Sequence, residues 1–413
     1  MGDHVEQRFL ASQRFKRHQF NIYENGMLRN QFPTVTTNPN KLEQQARDSM
    51  EAKGFNFIFG GAGEHATMDA NRLAFRQWKL IPRMLLPTSQ RDLSVTLFGI
   101  EYSTPVLFAP VGAHCVFHAD GECGVAEVAA DLDITYIHST AATASIEDAA
   151  RANGNGPRWF QLYWPQNDEI TLSLLNRASR SGYSTLVITL DTWSLGWRPA
   201  NLDGGFVPFI KGVGDQAGFS DPVFRQQFKK NYGVEVEEDI ISAAAEWNKD
   251  IFSGQAHTWE QLEFIKSHWS GPIVVKGIQH VDDARMALKM GMDGIIVSNH
   301  GGRQVDGALG SLEALPEIVH AVGKDMTVLF DSGVRTGADI IKALCLGAKG
   351  VLIGRPWVYG LGICGKAGAK EVMMGLLADF DQTLGLTGIR SISQCNRSIL
   401  RRITYGGDRH TSL

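Results

Sequence analysis

Short apolar runs recur down this chain with room for one helix between most of them. That rhythm limits the fold more than any other feature. Val106–Pro110, Ile134–Ser139, Trp159–Tyr163, Thr185–Asp191, Ile273–Lys276, Gly294–Ser298, Thr327–Asp331 and Gly350–Gly354 each read as a strand. Continuous apolar runs of this kind suit strands buried on both faces of a parallel sheet. Alanine-rich amphipathic segments separate most of them, as crossover connections require. Eight such strands predict an α/β chain closed into a (β/α)8 TIM barrel.

Two of the units repeat. Gly277, Asp283, Ala287, Leu288, Gly291 and Gly294 recur at a constant offset as Gly333, Asp339, Ala343, Leu344, Gly347 and Gly350. Each copy reads turn, helix, Gly, strand, as neighbouring modules of one barrel would. The rhythm breaks once, between Asp191 and Pro272. That interval carries G-W-R-P, glycine-rich stretches and a charged segment at Glu235–Asp239. An insertion this long after the fourth strand predicts a lid over 197–260. Residues 1–104 are expected to form a helical extension packed on the barrel, 105–390 the barrel, and 391–413 a tail. Within 1–50 only Lys41–Ala52 reads as a helix. Residues 71–104 read as a helix followed by proline-bearing connections.

The 413 residues, 43% hydrophobic and 20% charged, describe a globular protein. A net charge of −4 points to neither nucleic acid nor a membrane surface as partner. The five cysteines are scattered without a C-x-x-C pair, which suits reduced thiols inside a cell. No signal-peptide pattern or membrane-length apolar run is present. The expectation is cytoplasmic; the closing Thr-Ser-Leu only faintly matches a peroxisomal tail.

The chemistry gathers where the strands end. Ile295–Arg303 reads I-I-V-S-N-H-G-G-R, a buried strand delivering Ser298, Asn299 and His300 into a glycine turn before Arg303. An imidazole beside a fixed cation suits proton abstraction from a substrate bearing a carboxylate. Other strand ends supply Gly112, Ser139, Gln161 with Tyr163, Thr189 with Asp191, Lys276, Asp331, and Gly354 with Arg355. Barrel interiors need branched apolar residues, so polar groups along one rim need another cause. Asp331-Ser-Gly333-Val-Arg335 and Gly354-Arg355 follow strands seven and eight, where barrels hold phosphate. Lys276 is placed to stabilise negative charge on a planar phosphorylated cofactor.

S-N-H-G-G-R-Q, D-S-G-V-R-T-G-A-D and G-R-P resemble the FMN-dependent L-2-hydroxyacid oxidases and dehydrogenases, from about Phe55 to the last helix. I-T-L-D-T-W, G-W-R-P and F-Q-L-Y are most similar to lactate 2-monooxygenase within that family. The resemblance implies a TIM barrel with non-covalent FMN, a homotetramer or octamer, and a small 2-hydroxyacid and O2 as partners. It implies His300 as base, with Asp191 pairing with the imidazole and raising its basicity. Arg303 and Arg198 would hold the carboxylate, and Tyr163 would hydrogen-bond the substrate. Lys276, Gln161, Thr189, Ser139 and Ser298 would contact the flavin ring and ribityl chain. Asp331, Gly333, Arg335, Gly354 and Arg355 would take the ribityl and phosphate end. Ala109, Pro110 and Gly112 would lie beside the flavin, with Gly112 placed to affect oxygen access. No metal is implied. The product is either 2-oxo acid with H2O2, or the decarboxylated acid if peroxide forms before the 2-oxo acid leaves.

One position departs from the pattern. The family's first carboxylate-binding tyrosine falls at Phe57, in F-N-F-I-F-G-G-A-G. Losing a hydrogen bond to a charged carboxylate costs ~1.5–3 kcal/mol. Either Arg303, Arg198 and Tyr163 suffice without it, or Phe57 marks a substrate bulkier or more apolar than lactate, or else a barrel that keeps FMN for a binding or regulatory role. The intact His300, Asp191, Arg303 and Lys276 favour the enzyme. His114 is unexpected in its loop and fits either a pocket wall or an ordinary loop histidine. Gly360–Gly365 spells G-x-G-x-x-G but has no strand–helix unit downstream, so helix packing accounts for it better. His114-x-x-x-His118 with Cys123 makes a weak zinc pattern.

Overall fold

The computed structural model describes residues 2–404. All eight expected strands form, as a closed parallel barrel. We number them β1 Val106–Phe108, β2 Thr135–Ser139, β3 Arg158–Leu162, β4 Leu186–Thr189, β5 Ile273–Ile278, β6 Gly294–Val297, β7 Thr327–Phe330 and β8 Gly350–Ile353. Each strand pairs with the next, and Val351–Ile353 of β8 pairs with Val106–Phe108 of β1 to close the ring. Several expected strands ran one or two residues too far at the C-terminal end. Those residues have left the sheet because they carry the site.

The repeated sequence turns out to be a two-strand unit, β5–helix–β6 and β7–helix–β8, with β6 and β7 joined between them. Gly277 and Gly333, and likewise Gly291 and Gly347, have positive φ. Both glycine pairs therefore recur for backbone reasons: Gly291 and Gly347 turn the chain after Val281–Lys289 and Gly337–Cys345, Gly333 sits in the turn after β7, and Gly277 lies in β5 where its pairing with β6 shifts register.

One inward side chain per strand fills the barrel: Leu107, Ile137, Trp159, Val187, Val274, Ile296, Leu329 and Leu352. A two-stranded ribbon, Val95–Leu97 with Ile100–Tyr102, plugs the N-terminal end beneath them. Its Tyr102 hydroxyl accepts from Trp159 Nε1 at 3.1 Å, and Phe98 packs on the same indole. This ribbon lay in what read as plain connections, since three-residue strands carry no periodicity.

Four helices precede the barrel: α1 Gly2–Arg29, α2 Pro39–Ser49, α3 Ala52–Phe59 and α4 Ala66–Gln77. The sequence reading found α2 but missed α1, whose polar text hides its packing on the last helix, Arg355–Thr387. Gly360–Gly365 does lie in that helix, where non-helical Cys364 and Gly365 break it; a Cβ on Gly360 would strike Gly368 O. After 390 the chain runs back so that Leu400–Arg402 pairs with Trp78–Leu80. The interval between β4 and β5 is largely helical, including Pro222–Tyr232 and Ile240–Ile251. Among the described residues no helix is long and apolar enough to cross a membrane. The closing Thr-Ser-Leu lies outside them.

Trp159→Ala should destabilise the fold by about 3–5 kcal/mol through the cavity it leaves. Tyr102→Phe, which only strands the indole N–H, should cost about 1–3 kcal/mol. Denaturant unfolding of the two variants checks this ranking.

Candidate active site

Side chains alternate along a strand, so the position two beyond each inward apolar residue points inward again. Those positions are Ala109, Ser139, Gln161, Thr189, Lys276, Ser298, Asp331 and Gly354. A small or polar layer thus sits directly above the apolar one. Within it Ser139 Oγ donates to Gln161 Oε1 at 2.8 Å, and Gln161 Nε2 donates to Thr189 Oγ1 at 3.0 Å. Lys276 Nζ reaches Ser298 Oγ at 3.1 Å and the Asp331 carboxylate at 3.6 Å. One more step along the same face brings Tyr163, Asp191 and His300 to the rim.

The turn after β6 is built by its own side chains. His300, Gly301 and Gly302 all have positive φ, a conformation costly for a histidine. Every amide there is bonded: Asn299 N to Ser311 Oγ, His300 N to Ser298 Oγ, Gly301 N to Ser332 Oγ and Gly302 N to Asn299 Oδ1. Asn299 and Asn71 also bond reciprocally, tying the turn to α4. These contacts explain why Ser and Asn precede the histidine and two glycines follow it.

His300 Nδ1 bonds Asp191 Oδ1 at 2.7 Å, with Thr192 Oγ1 donating to the same carboxylate oxygen at 2.8 Å. Burial pushes the imidazole below its usual value, and Lys276 adds to that; Asp191 opposes without reversing it. The expected gain in basicity is therefore only partial: the carboxylate raises His300, but desolvation outweighs it. The ring is neutral at pH 7, as a base must be. Burial alone would raise Asp191, yet His300 and Lys276 hold it well below the carboxylate range. Burial also works against the charge on Lys276, but Asp331 and Asp191 leave its pKa raised.

The cavity above this layer holds about 970 Å³ of empty space, counted out to solvent. That suits a ligand of cofactor size. Arg198, Arg303, Arg335 and Arg355 all line it. Arg355 donates to Ile58 O, Phe59 O and Gly301 O, and Arg303 to Ile58 O and Gly60 O. The two arginines thus cap the carbonyl end of α3, the negative pole of that helix. Arg198 is held by Arg303 O and Gln304 Oε1. Burial lowers all four guanidinium pKa values, Arg198 to about 10, and Arg198 and Arg355 push Arg303 down further. No carboxylate pairs with any of the four among the described residues. Clustered buried cations without acids make a site for an anion.

Tyr163, Phe57, Arg198, Arg303, His300, Lys276, Ala109, Pro110, Gly112, Asp331, Gly333, Arg335, Gly354 and Arg355 line one cavity. Ser139, Gln161, Thr189 and Ser298 lie buried behind that wall, and Asp191 lies behind His300. Gly112 has a packing cause of its own, because a Cβ there would meet Ala141 O at 2.6 Å. His114 is not a wall residue: its Nε2 bonds Val111 O at 2.9 Å and its ring packs on Trp357. Among the described residues no His, Cys, Asp and Glu side chains converge as a metal site.

Sequence reasoning missed Leu195, Phe209 and Phe252, which reach the cavity from the segment after β4. Nothing in their local sequence marks them. It also missed Ser332, which bonds Asp331 at 2.7 Å and carries a positive φ of 84°. Its place inside D-S-G was the available signal.

The residues fit FMN. Gly354 leaves open space beside Arg355, where the resemblance puts the phosphate, with nothing nearer than 3.9 Å to an added Cβ. The helix that begins at Arg355 starts on this cavity wall, beside Arg335. Arg355→Met and Arg335→Met should each release FMN at least tenfold more readily, given the ~1.5–3 kcal/mol of a charged hydrogen bond. Flavin retained after gel filtration measures this.

Residues 46–402 match the model of the FMN-dependent dehydrogenase family. The FMN-dependent alpha-hydroxy acid dehydrogenase qulF of Penicillium citrinum is 57% identical, over 97% of this chain and 99% of the relative. L-lactate oxidase of Lysinibacillus sphaericus is 39% identical, over 85% of this chain and 89% of its own. A crystal structure of mandelate oxidase superposes with a TM-score of 0.77 at 34% identity, covering 89% of this chain and 98% of that one. A barrel whose polar layer, His–Asp pair and unpaired arginines sit where those motifs fall thus places the chain in the FMN-dependent dehydrogenase family, as an oxidoreductase that binds FMN.

Proposed function

We propose that this chain oxidises the Cα–OH of L-2-hydroxyacids whose side chain is apolar and bulkier than that of lactate. O2 is the proposed acceptor. The observation that carries the reading is His300: one ring nitrogen is fixed by Asp191 at 2.7 Å, and the ring lines a cavity shared with Arg198 and Arg303. Bound FMN would accept a hydride, the Cα hydrogen with its electron pair. His300 takes the hydroxyl proton, and Asp191 stabilises the imidazolium that results. Arg198 and Arg303 orient the carboxylate, with Tyr163 bonding the substrate oxygen. Burial raises the Tyr163 pKa, so its hydroxyl stays protonated and able to donate. Lys276 holds positive charge against the cofactor.

The side-chain preference rests on the aromatic wall around Phe57. Phe57 packs edge-on to Phe206 and Phe209, with ring centroids 6.3 and 5.9 Å apart. Phe252 packs on both Phe209 and Tyr163. The Arg303 guanidinium lies 5.7 Å from the centre of the Phe57 ring, so a cation–π contact replaces the phenol. Phe209 and Phe252 come from the 197–260 segment, which supports its reading as a lid. An aromatic wall packed on the product also favours slow release of the 2-oxo acid, and with it the monooxygenase-like outcome, in which peroxide decarboxylates the retained product. The binding-only alternative gains nothing from the geometry, since the His300–Asp191 pair is fully assembled. Exposed Met27, Leu28, Met84 and Leu85 support a homo-oligomer, tested by light scattering.

Mixing the protein anaerobically with lactate, glycolate, mandelate and a long-chain hydroxyacid should bleach the flavin fastest with the bulky substrates. Fastest bleaching by glycolate would overturn the side-chain assignment. Phe57→Tyr should raise kcat/KM for lactate about tenfold by restoring a charged hydrogen bond. His300→Gln should keep FMN yet slow flavin reduction by ~10²–10⁴-fold; normal bleaching would sink the base assignment. Because burial lowers the His300 pKa, the acid limb of kcat/KM should lie below the usual imidazole value of 6.5, with activity lost as pH falls through it. Asp191→Asn removes the one raising influence, so it should move that limb further down.

A further inference from the structure

A second cavity backs onto the catalytic one. Asp191 lines only the second, His300 only the first, and Thr192 both. The second holds about 920 Å³ of empty space out to its mouth. Its walls carry three tryptophans and a histidine among aliphatic side chains such as Ile251 and Leu262. The His257 ring lies flat on Trp164, with centroids 4.0 Å apart at 8°, and Trp193 and Trp259 line the same cavity. Trp193 is 46% exposed, at the surface end. Trp164 Nε1 and His257 Nδ1 find no partner within the protein.

The charge pattern is the reverse of the first cavity's. No lysine or arginine lines this one; its charged side chains are Asp191 and Asp283. Asp191 is already engaged by His300 and Lys276. Asp283 is exposed and has no hydrogen bond or ion pair among the described residues. Its counterpart in the internal repeat shows what it lacks: Asp339 is buried, pairs with Arg72 at 2.8 Å and accepts from Arg335 N at 3.0 Å. The repeat has kept the carboxylate and left it beside an aromatic pocket.

We propose that this cavity binds an organic ammonium ion, a methylated or aryl-substituted amine, between the indole faces and Asp283. Aromatic faces attract cations through the ring quadrupole, most strongly where the charge is shielded from water. An unpaired carboxylate with no competing cation adds to that attraction and repels carboxylates. The ligand is thus a different class from the anions that the four arginines take. Occupancy places it against Asp191 and Thr192, within reach of the His300 support.

The test is calorimetric titration of the FMN-loaded protein with benzyltrimethylammonium, benzyl alcohol and benzoate. The cation should saturate one site per chain and outbind benzyl alcohol. Trp193→Ala and Asp283→Asn should each weaken it about fivefold to tenfold, as expected for losing one shielded cation contact. Both side chains are exposed, and unchanged flavin absorbance with an unchanged unfolding midpoint would show that the variants are folded. Absence of saturable binding, binding indifferent to both substitutions, or displacement by benzoate seated among the arginines would each overturn the proposal.

Discussion

Closure of the barrel is the constraint on which everything else depends. With β8 paired to β1, the inward face of every strand is fixed in register by its neighbours. One ring of apolar residues from Leu107 to Leu352 then fills the interior. Because the side-chain period of a strand is two, the next inward ring is forced to lie directly above it. That ring contains Ser139, Gln161, Thr189, Lys276, Ser298 and Asp331. A slip of one residue in any strand would turn its polar group into the helix layer and leave a gap in the interior. The ribbon carrying Leu97 and Tyr102 secures the arrangement from below by sealing the apolar ring and bonding Trp159.

On this rigid layer the charges are arranged in two ways. Near β4, β5 and β6 they compensate one another: Asp191, His300, Lys276 and Asp331 form one connected group. Near β7, β8 and α3 they do not. Four guanidiniums rest on backbone carbonyls and an amide, none on a carboxylate. Buried like charges are destabilising by themselves, and an anionic cofactor and an anionic substrate relieve that. Stability and ligand binding are therefore coupled at this end of the barrel. Arg303 and Arg355 serve both needs, since the bonds that cap α3 also hold Phe57 in the cavity wall.

The aromatic wall has a different origin. Phe57 comes from a helix before the barrel, and Phe206, Phe209 and Phe252 from the long segment after β4. The barrel fixes the reacting centre, while segments outside it shape the space beside that centre. Such a division lets side-chain preference change without disturbing the layer that carries the chemistry.

Much of this was legible in the residues alone. Buried strands are continuous apolar runs, so all eight appeared in the text, and the glycine-flanked motifs after β6, β7 and β8 marked where the chain must turn. His300, Asp191 and Lys276 stood out because a polar residue at the end of an apolar run needs a reason. What the sequence could not supply depends on distance between segments remote in the chain. The ribbon under the barrel is too short to show a period, and α1 is too polar to announce its packing. The net effect on His300 is a contest between burial and Asp191, and burial exists only in three dimensions. Phe209 and Phe252 reach the cavity through the packing of a helical segment whose local pattern says nothing of its direction. Strand register is written into the sequence because its period is local; pocket shape and pKa arise from neighbours that only folding brings together.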